Sequence, residues 1–202
     1  MCRVLLLLTA FFLCLSNAQA EERMLPYGSG IPVLLYHGLL KESDPSKIYS
    51  MSVEAFRDHL GALKIAGYTT VSLQDLLDYY RHKKQIPAKS VMITFDDGER
   101  SSFENADPIL KEMGFRAAMF IIPLMQEKKY PLYLSWEELN AMHRSGRWDI
   151  GAHGNRYHNL IALDSEETKG NFASNLQWLK DKNRLETVEE FENRLRECLQ
   201  IK

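Results

Sequence analysis

The chain has 202 residues, 45% of them hydrophobic and 26% charged, with a formal net charge of −2. That is the composition of a folded domain of ordinary size with enough length for a real core, and it excludes a disordered chain. The slight negative balance offers no electrostatic basis for a nucleic-acid partner.

The first twenty residues differ from the rest. Arg3 is their only charge, "VLLLLTAFFLCL" follows, and "SNAQA" closes the segment. A short basic start, an apolar centre and the small-x-small ending Ala18-Gln19-Ala20 read as a secretory signal peptide, with cleavage expected after Ala20. The apolar run is shorter than the about 20 residues a membrane span needs. No span is therefore expected after cleavage; an uncleaved anchor is the alternative. Cys2 and Cys14 leave with this peptide, so Cys198 is the one cysteine expected in the mature chain and no internal disulfide can form. It falls on the apolar face of a predicted helix and reads as a buried thiol.

Residues 21–30 are a Gly- and Pro-containing lead-in, and one domain is expected over 31–202. "IPVLLYH" (31–37) is a continuous apolar run, the pattern of a strand buried on both faces. Ser52 is placed to cap a helix with Phe56, Leu60, Leu63 and Ala66 on one side, ended at Gly67. "YTTVSL" is a short strand. Ser72 and Asp75 resemble a capping box for a helix carrying Leu76, Leu77 and Tyr80. "SVMITFDD" (90–97) is a second buried strand, and the helix after it contains "ADPILKEM" and stops at Gly114. "AAMFII" (117–122) is the fourth strand. Ser135 and Glu138 form a capping box for "WEELNAMHRSG", and "WDIGAH" (148–153) is the fifth strand. Thr187 and Glu190 open a last helix with Val188, Phe191, Leu195 and Leu199 on one stripe. Residues 160–182 show no clear pattern.

Alternating strands and helices imply an α/β fold, a parallel sheet covered by helices. In such folds ligands gather at the carboxyl ends of the strands. Three polar positions fall there: His37, the pair Asp96-Asp97, and His153. Asp-Asp-Gly on its own is ordinary turn chemistry. His153-x4-His158 on its own carries little. Together at strand ends they match a common divalent-metal set, two imidazoles and a carboxylate with a position left for water. The second carboxylate is then left to act as a base, and the cation offsets the repulsion between adjacent aspartates.

These residues resemble the NodB-like polysaccharide deacetylases, the fourth carbohydrate esterase family. The resemblance is carried by "LLYHGL" (34–39), "SMSVEAFRDHLGALKIAGYTTVSLQDL" (50–76), "ITFDDG" (93–98), "ILKEMGFRAAMFII" (109–122) and "WDIGAHGNRYH" (148–158). It is nearest to exported deacetylases of poly-N-acetylglucosamine biofilm polymers, in which the two histidines stand five apart. The resemblance implies a partial, distorted (β/α) barrel and a metal-assisted amide hydrolase acting on an N-acetylated polysaccharide, exported to a bacterial periplasm or cell surface. It implies Asp96 as catalytic base, Asp97, His153 and His158 as ligands of a divalent ion (zinc, with cobalt, nickel or iron as alternatives), and His37 near the substrate.

Two departures stand beside it. Gly154 replaces the usual Ser or Thr after the first histidine. The later family segments, with a supporting arginine and a histidine general acid, have no counterpart after Thr187. The alternative is therefore an inactive, truncated fragment that binds metal, glycan or a partner chain completing the barrel, alone or as an oligomer. Trp136 and Trp148 are candidates for stacking on sugar rings or for packing. His59, His82 and His143 fall on predicted helices, away from strand ends, and read as surface or packing residues.

Overall fold

The structure is a computed structural model. It describes residues 23–26, 28–42, 44–155 and 160–199. The expected signal segment, Tyr157 and His158 lie outside these residues.

The sheet carries the expected order of strands. β1 (Val33–Tyr36), β4 (Thr69–Thr70), β5 (Ser90–Phe95), β6 (Ala117–Ile121) and β7 (Trp148–Ala152) form one parallel sheet in the order β1-β5-β6-β7, with β4 paired to the start of β5. Every residue of β5 is buried. As the central strand it is covered on both faces, which is why "SVMITF" needs no polar alternation. β1 departs from its expected burial: Val33 and Leu35 are each 54% exposed. The strand lies at the end of the sheet, and among the described residues no helix covers the face that carries Val33 and Leu35. Two short strands, β2 (Leu39–Leu40) and β3 (Met51–Ser52), pair parallel beside it.

The helices begin and end where local chemistry dictates. α1 (Val53–Ile65) starts at Ser52, whose side chain accepts from the Ala55 amide at 3.1 Å. α2 (Leu73–His82) and α5 (Trp136–Arg144) each open with the predicted Ser–acidic capping box. α3 (Arg100–Met113) ends on Gly114 at φ +67°, a left-handed position that glycine adopts without steric cost. α4 (Pro123–Glu127) is a short helix with proline in its first turn. Phe56, Leu60, Ile109, Leu110, Leu139 and Met142 bury the helices against β5 and β6. The lead-in is packed too: Tyr79 of α2 donates its hydroxyl to the Pro26 carbonyl at 2.7 Å.

Trp148 settles as core. It is 1% exposed, and its indole N–H donates to Asp107 at 2.8 Å. The unpatterned stretch after β7 forms two small antiparallel hairpins, β8 (Leu160–Ala162) with β9 (Lys169–Asn171), and β10 (Trp178–Leu179) with β11 (Arg184–Leu185). α6 (Val188–Leu199) closes over them, and Cys198 packs with Ile161 and Phe172 as the buried thiol the sequence predicted. The box at Thr187 and Glu190 forms as expected. No closed barrel forms among the described residues, and none of their helices is long and apolar enough to cross a membrane.

Candidate active site

Asp96 leaves the end of β5 with its backbone N–H held by the Tyr36 carbonyl at 3.0 Å. The chain then reverses through two left-handed residues, Asp97 at φ +69° and Gly98 at φ +77°. Asp tolerates that region better than most side chains. Gly98 is required for a second reason. A Cβ built on it would stand 2.8 Å from Ile121 Cγ2, at the end of β6. The turn thus lies flat on the neighbouring strand.

This close approach solves a problem of topology. β6 separates β5 from β7, so the aspartates and His153 belong to strands that do not touch. With the turn seated on Ile121, and the His153 backbone N–H donating to the Ile121 carbonyl at 2.6 Å, both reach the same point above β6. His153 Nε2 lies 3.4 Å from Asp96 Oδ2 and 3.8 Å from Asp97 Oδ1. All three side chains are partly buried, Asp96 most of all at 14% exposed. Two carboxylates and one imidazole therefore converge on a common spot.

The donor chemistry suits a divalent cation: borderline and hard donors at the ends of neighbouring strands. Among the described residues no group of three His, Cys, Asp or Glu side chains forms a complete metal site. The third expected ligand, His158, is not one of them. Gly154 follows His153 at φ +69°, and a Cβ there would meet Cys198 Sγ at an ordinary 3.5 Å. A side chain at this position is opposed by the backbone, not by lack of space, so the departure from Ser or Thr fits the local conformation.

His37 follows β1, half-buried. Its ring meets Tyr49 at 5.4 Å between centroids, and its carbonyl accepts from Ser102 Oγ at 3.0 Å. It is not ion-paired to Asp96 or Asp97 among the described residues. His82 is exposed beside Asp78, and His59 packs near Tyr36.

Two residues at the site carry no sequence signal. Glu99 pairs by its backbone with Tyr133 and turns its carboxylate toward Gly38, where a Cβ would stand 2.7 Å from Oε2. Tyr133 has its phenol pKa raised, first by burial and then by the charges of Asp97 and Glu99. It reaches the site from a loop with no periodicity, which only the fold folds back over the turn.

Comparison with known proteins places the chain in a family. Residues 83–188, just over half of the chain, match the polysaccharide deacetylase family model, and the chain belongs to that family. It is similar to a poly-β-1,6-N-acetyl-D-glucosamine N-deacetylase of Staphylococcus aureus, 34% identical over 143 residues, which cover 69% of this chain and 48% of that protein. The chain thus spans about half the length of the staphylococcal relatives it matches. Among solved structures, IcaB from Ammonifex degensii aligns with TM-score 0.61 at 30% identity over 85% of this chain and 69% of that one. A de-N-acetylase from Aggregatibacter actinomycetemcomitans aligns with TM-score 0.73 at 23% identity over 83% and 70%, a likeness of fold.

Proposed function

We propose that the chain is a metal-dependent hydrolase that removes N-acetyl groups from an exported polysaccharide of N-acetylglucosamine type. The observation that carries this is the convergence of Asp96, Asp97 and His153 above β6, in a chain of the polysaccharide deacetylase family. The name of the staphylococcal relative supports the substrate class.

In this reading Asp97, His153 and His158 hold the ion and Asp96 is the base. A divalent cation, zinc first among the candidates, supplies Lewis-acid polarisation of the acetamide carbonyl and acidifies the attacking water. Asp96 takes that water's proton on a carboxylate oxygen. Its place beside the His153 ring keeps the oxygen aimed at the point where Asp97 also arrives. The water oxygen bonds to the acetyl carbon, the C–N bond breaks, and the proton taken by Asp96 passes to the departing nitrogen, so that acetate is released and a free amine remains on the sugar. Residues 1–20 direct export.

Two measurements on the purified full chain test this. Elemental analysis should find about one divalent ion per folded chain, lost in Asp97→Ala and His158→Ala. Asp96→Asn should keep the ion and lose about 10²–10⁴-fold in acetate release from poly-β-1,6-N-acetylglucosamine. A folded, metal-loaded chain that releases no acetate would overturn the enzyme reading in favour of a glycan-binding fragment.

A further inference from the structure

The lead-in between the expected signal segment and β1 is bonded into the fold. The Ala88 N–H donates to the Arg23 carbonyl at 2.7 Å, and the Leu25 N–H donates to the Ile86 carbonyl at 2.8 Å. Between these bonds Met24 and Pro87 face each other in an antiparallel bridge. The partner segment is itself held, because Ser90 Oγ at the start of β5 donates to the Pro87 carbonyl at 2.7 Å. A turn follows, in which the Ser29 N–H donates to the Pro26 carbonyl at 3.1 Å. Tyr79 of α2, 1% exposed, pins that turn. Its hydroxyl is shared between the Pro26 carbonyl at 2.7 Å and the Ser29 carbonyl at 3.2 Å. Leu25 packs on the cluster of Val71, Tyr79, Ile86 and Met92. Together these contacts make the lead-in a strap beside the amino end of β5.

The strap begins almost at the expected cleavage point. Only Glu21 and Glu22 separate Ala20 from Arg23. Three residue steps reach at most about 11 Å. The Ala20–Glu21 bond therefore stays within that reach of a backbone already bonded to Ala88. A peptidase has to hold the chain on both sides of the bond it cuts, extended and released from other partners. Cutting so close to a hydrogen-bonded segment follows local opening, at a rate set by the open population.

We propose that docking of this strap and removal of residues 1–20 exclude each other, so that the strap is a latch that closes after the cut. This rests on the export reading above. While the latch is open, a signal peptidase adds one water across the Ala20–Glu21 peptide bond. The water oxygen joins the Ala20 carbonyl carbon, the C–N bond breaks, and the water's two protons go to the departing nitrogen. The products are the Ala20 carboxylate and the Glu21 ammonium. The strap then docks, and its carbonyls give the buried Tyr79 hydroxyl its acceptors, which a buried donor requires. A chain that closes the latch first keeps its apolar segment. The order is cut, then close, and the chain gains the strap's share of its stability only once it has been exported.

The test uses the full 202-residue chain, folded in detergent micelles and treated with purified bacterial signal peptidase, with the cut read by mass spectrometry. One variant carries about ten Gly and Ser residues between Glu22 and Arg23, which move the cut away from the strap. A second, Tyr79→Phe, keeps the ring and removes the hydroxyl that pins the turn. The folded parent should be cut after Ala20 at least about ten-fold more slowly than the insertion variant. Tyr79→Phe should fall between the two. Equal rates for the parent and the insertion variant would overturn the latch and leave the export reading standing. An insertion variant left uncut after Ala20 removes the export reading and the latch with it. The insertion lies outside the strap's contacts, so it decides the matter if Tyr79→Phe does not fold.

Discussion

Replacing Asp107 tests how the sheet carrying His153 is anchored. Asp107 lies on α3 and receives three hydrogen bonds at the start of β7: Arg147 Nε and Nη2, each at 3.0 Å, and Trp148 Nε1 at 2.8 Å. Burial would raise its pKa, but the bonds from Arg147 and Trp148 outweigh that and hold it below the usual carboxylate range. Asp107→Ala leaves the indole N–H of a fully buried tryptophan without an acceptor, at about 1–3 kcal/mol. It also removes a bidentate, charge-assisted pair whose side chains are 27% and 20% exposed, which contributes about 1–2 kcal/mol after solvent screening. The expected loss is about 3 kcal/mol, or about 6–12 °C in melting temperature for a domain of this size. Asp107→Asn keeps an acceptor for Trp148 and should lose about half as much. Thermal unfolding followed by circular dichroism measures both. If Asp107→Ala melts within about 2 °C of the parent, the reasoning that this carboxylate fastens β7 to α3 is wrong.

Gly98→Ala should be among the most damaging small changes in the chain. The left-handed backbone costs about 1–2 kcal/mol, and contact with Ile121 adds about 1–3 kcal/mol of overpacking. A urea midpoint equal to the parent's would refute it, and Gly30→Ala, with nothing within 4 Å of its Cβ, is the matched control. Stability should also fall in acid. Asp75, Asp107 and Glu138 all have folded pKa values below their ordinary ones, each because hydrogen bonds outweigh the opposing effect of burial. Groups of this kind contribute fully above their unfolded values of about 4 and lose that contribution as pH drops through the folded ones. A melting temperature that does not drop between neutral pH and about pH 3 would contradict this assignment.

Much of the fold was legible because its signals are local. The serines and threonine at 52, 72, 135 and 187 cap helices through atoms three residues away, so sequence spacing is enough to find them. β1, β5 and β6 are apolar runs between those helices, and the Asp96, Asp97 and His153 positions follow from where β5 and β7 end. The hairpins between Leu160 and Leu185 escaped because their strands are two or three residues long, too short for alternation to register. β1 was read as covered on both faces because an apolar run does not say whether its strand is central or at the edge of a sheet.

Sequence by itself determined the alphabet of the site: two aspartates, a glycine and a histidine at the ends of parallel strands, with the element order that makes the sheet. Only the tertiary structure decided that β6 lies between them, that Gly98 must rest on Ile121 for the carboxylates to reach His153, and that Tyr133 folds back beside the turn. The physical reason is range. Caps and strand runs depend on neighbours a few residues apart, whereas the site depends on contacts between segments brought together by packing, which no local pattern encodes.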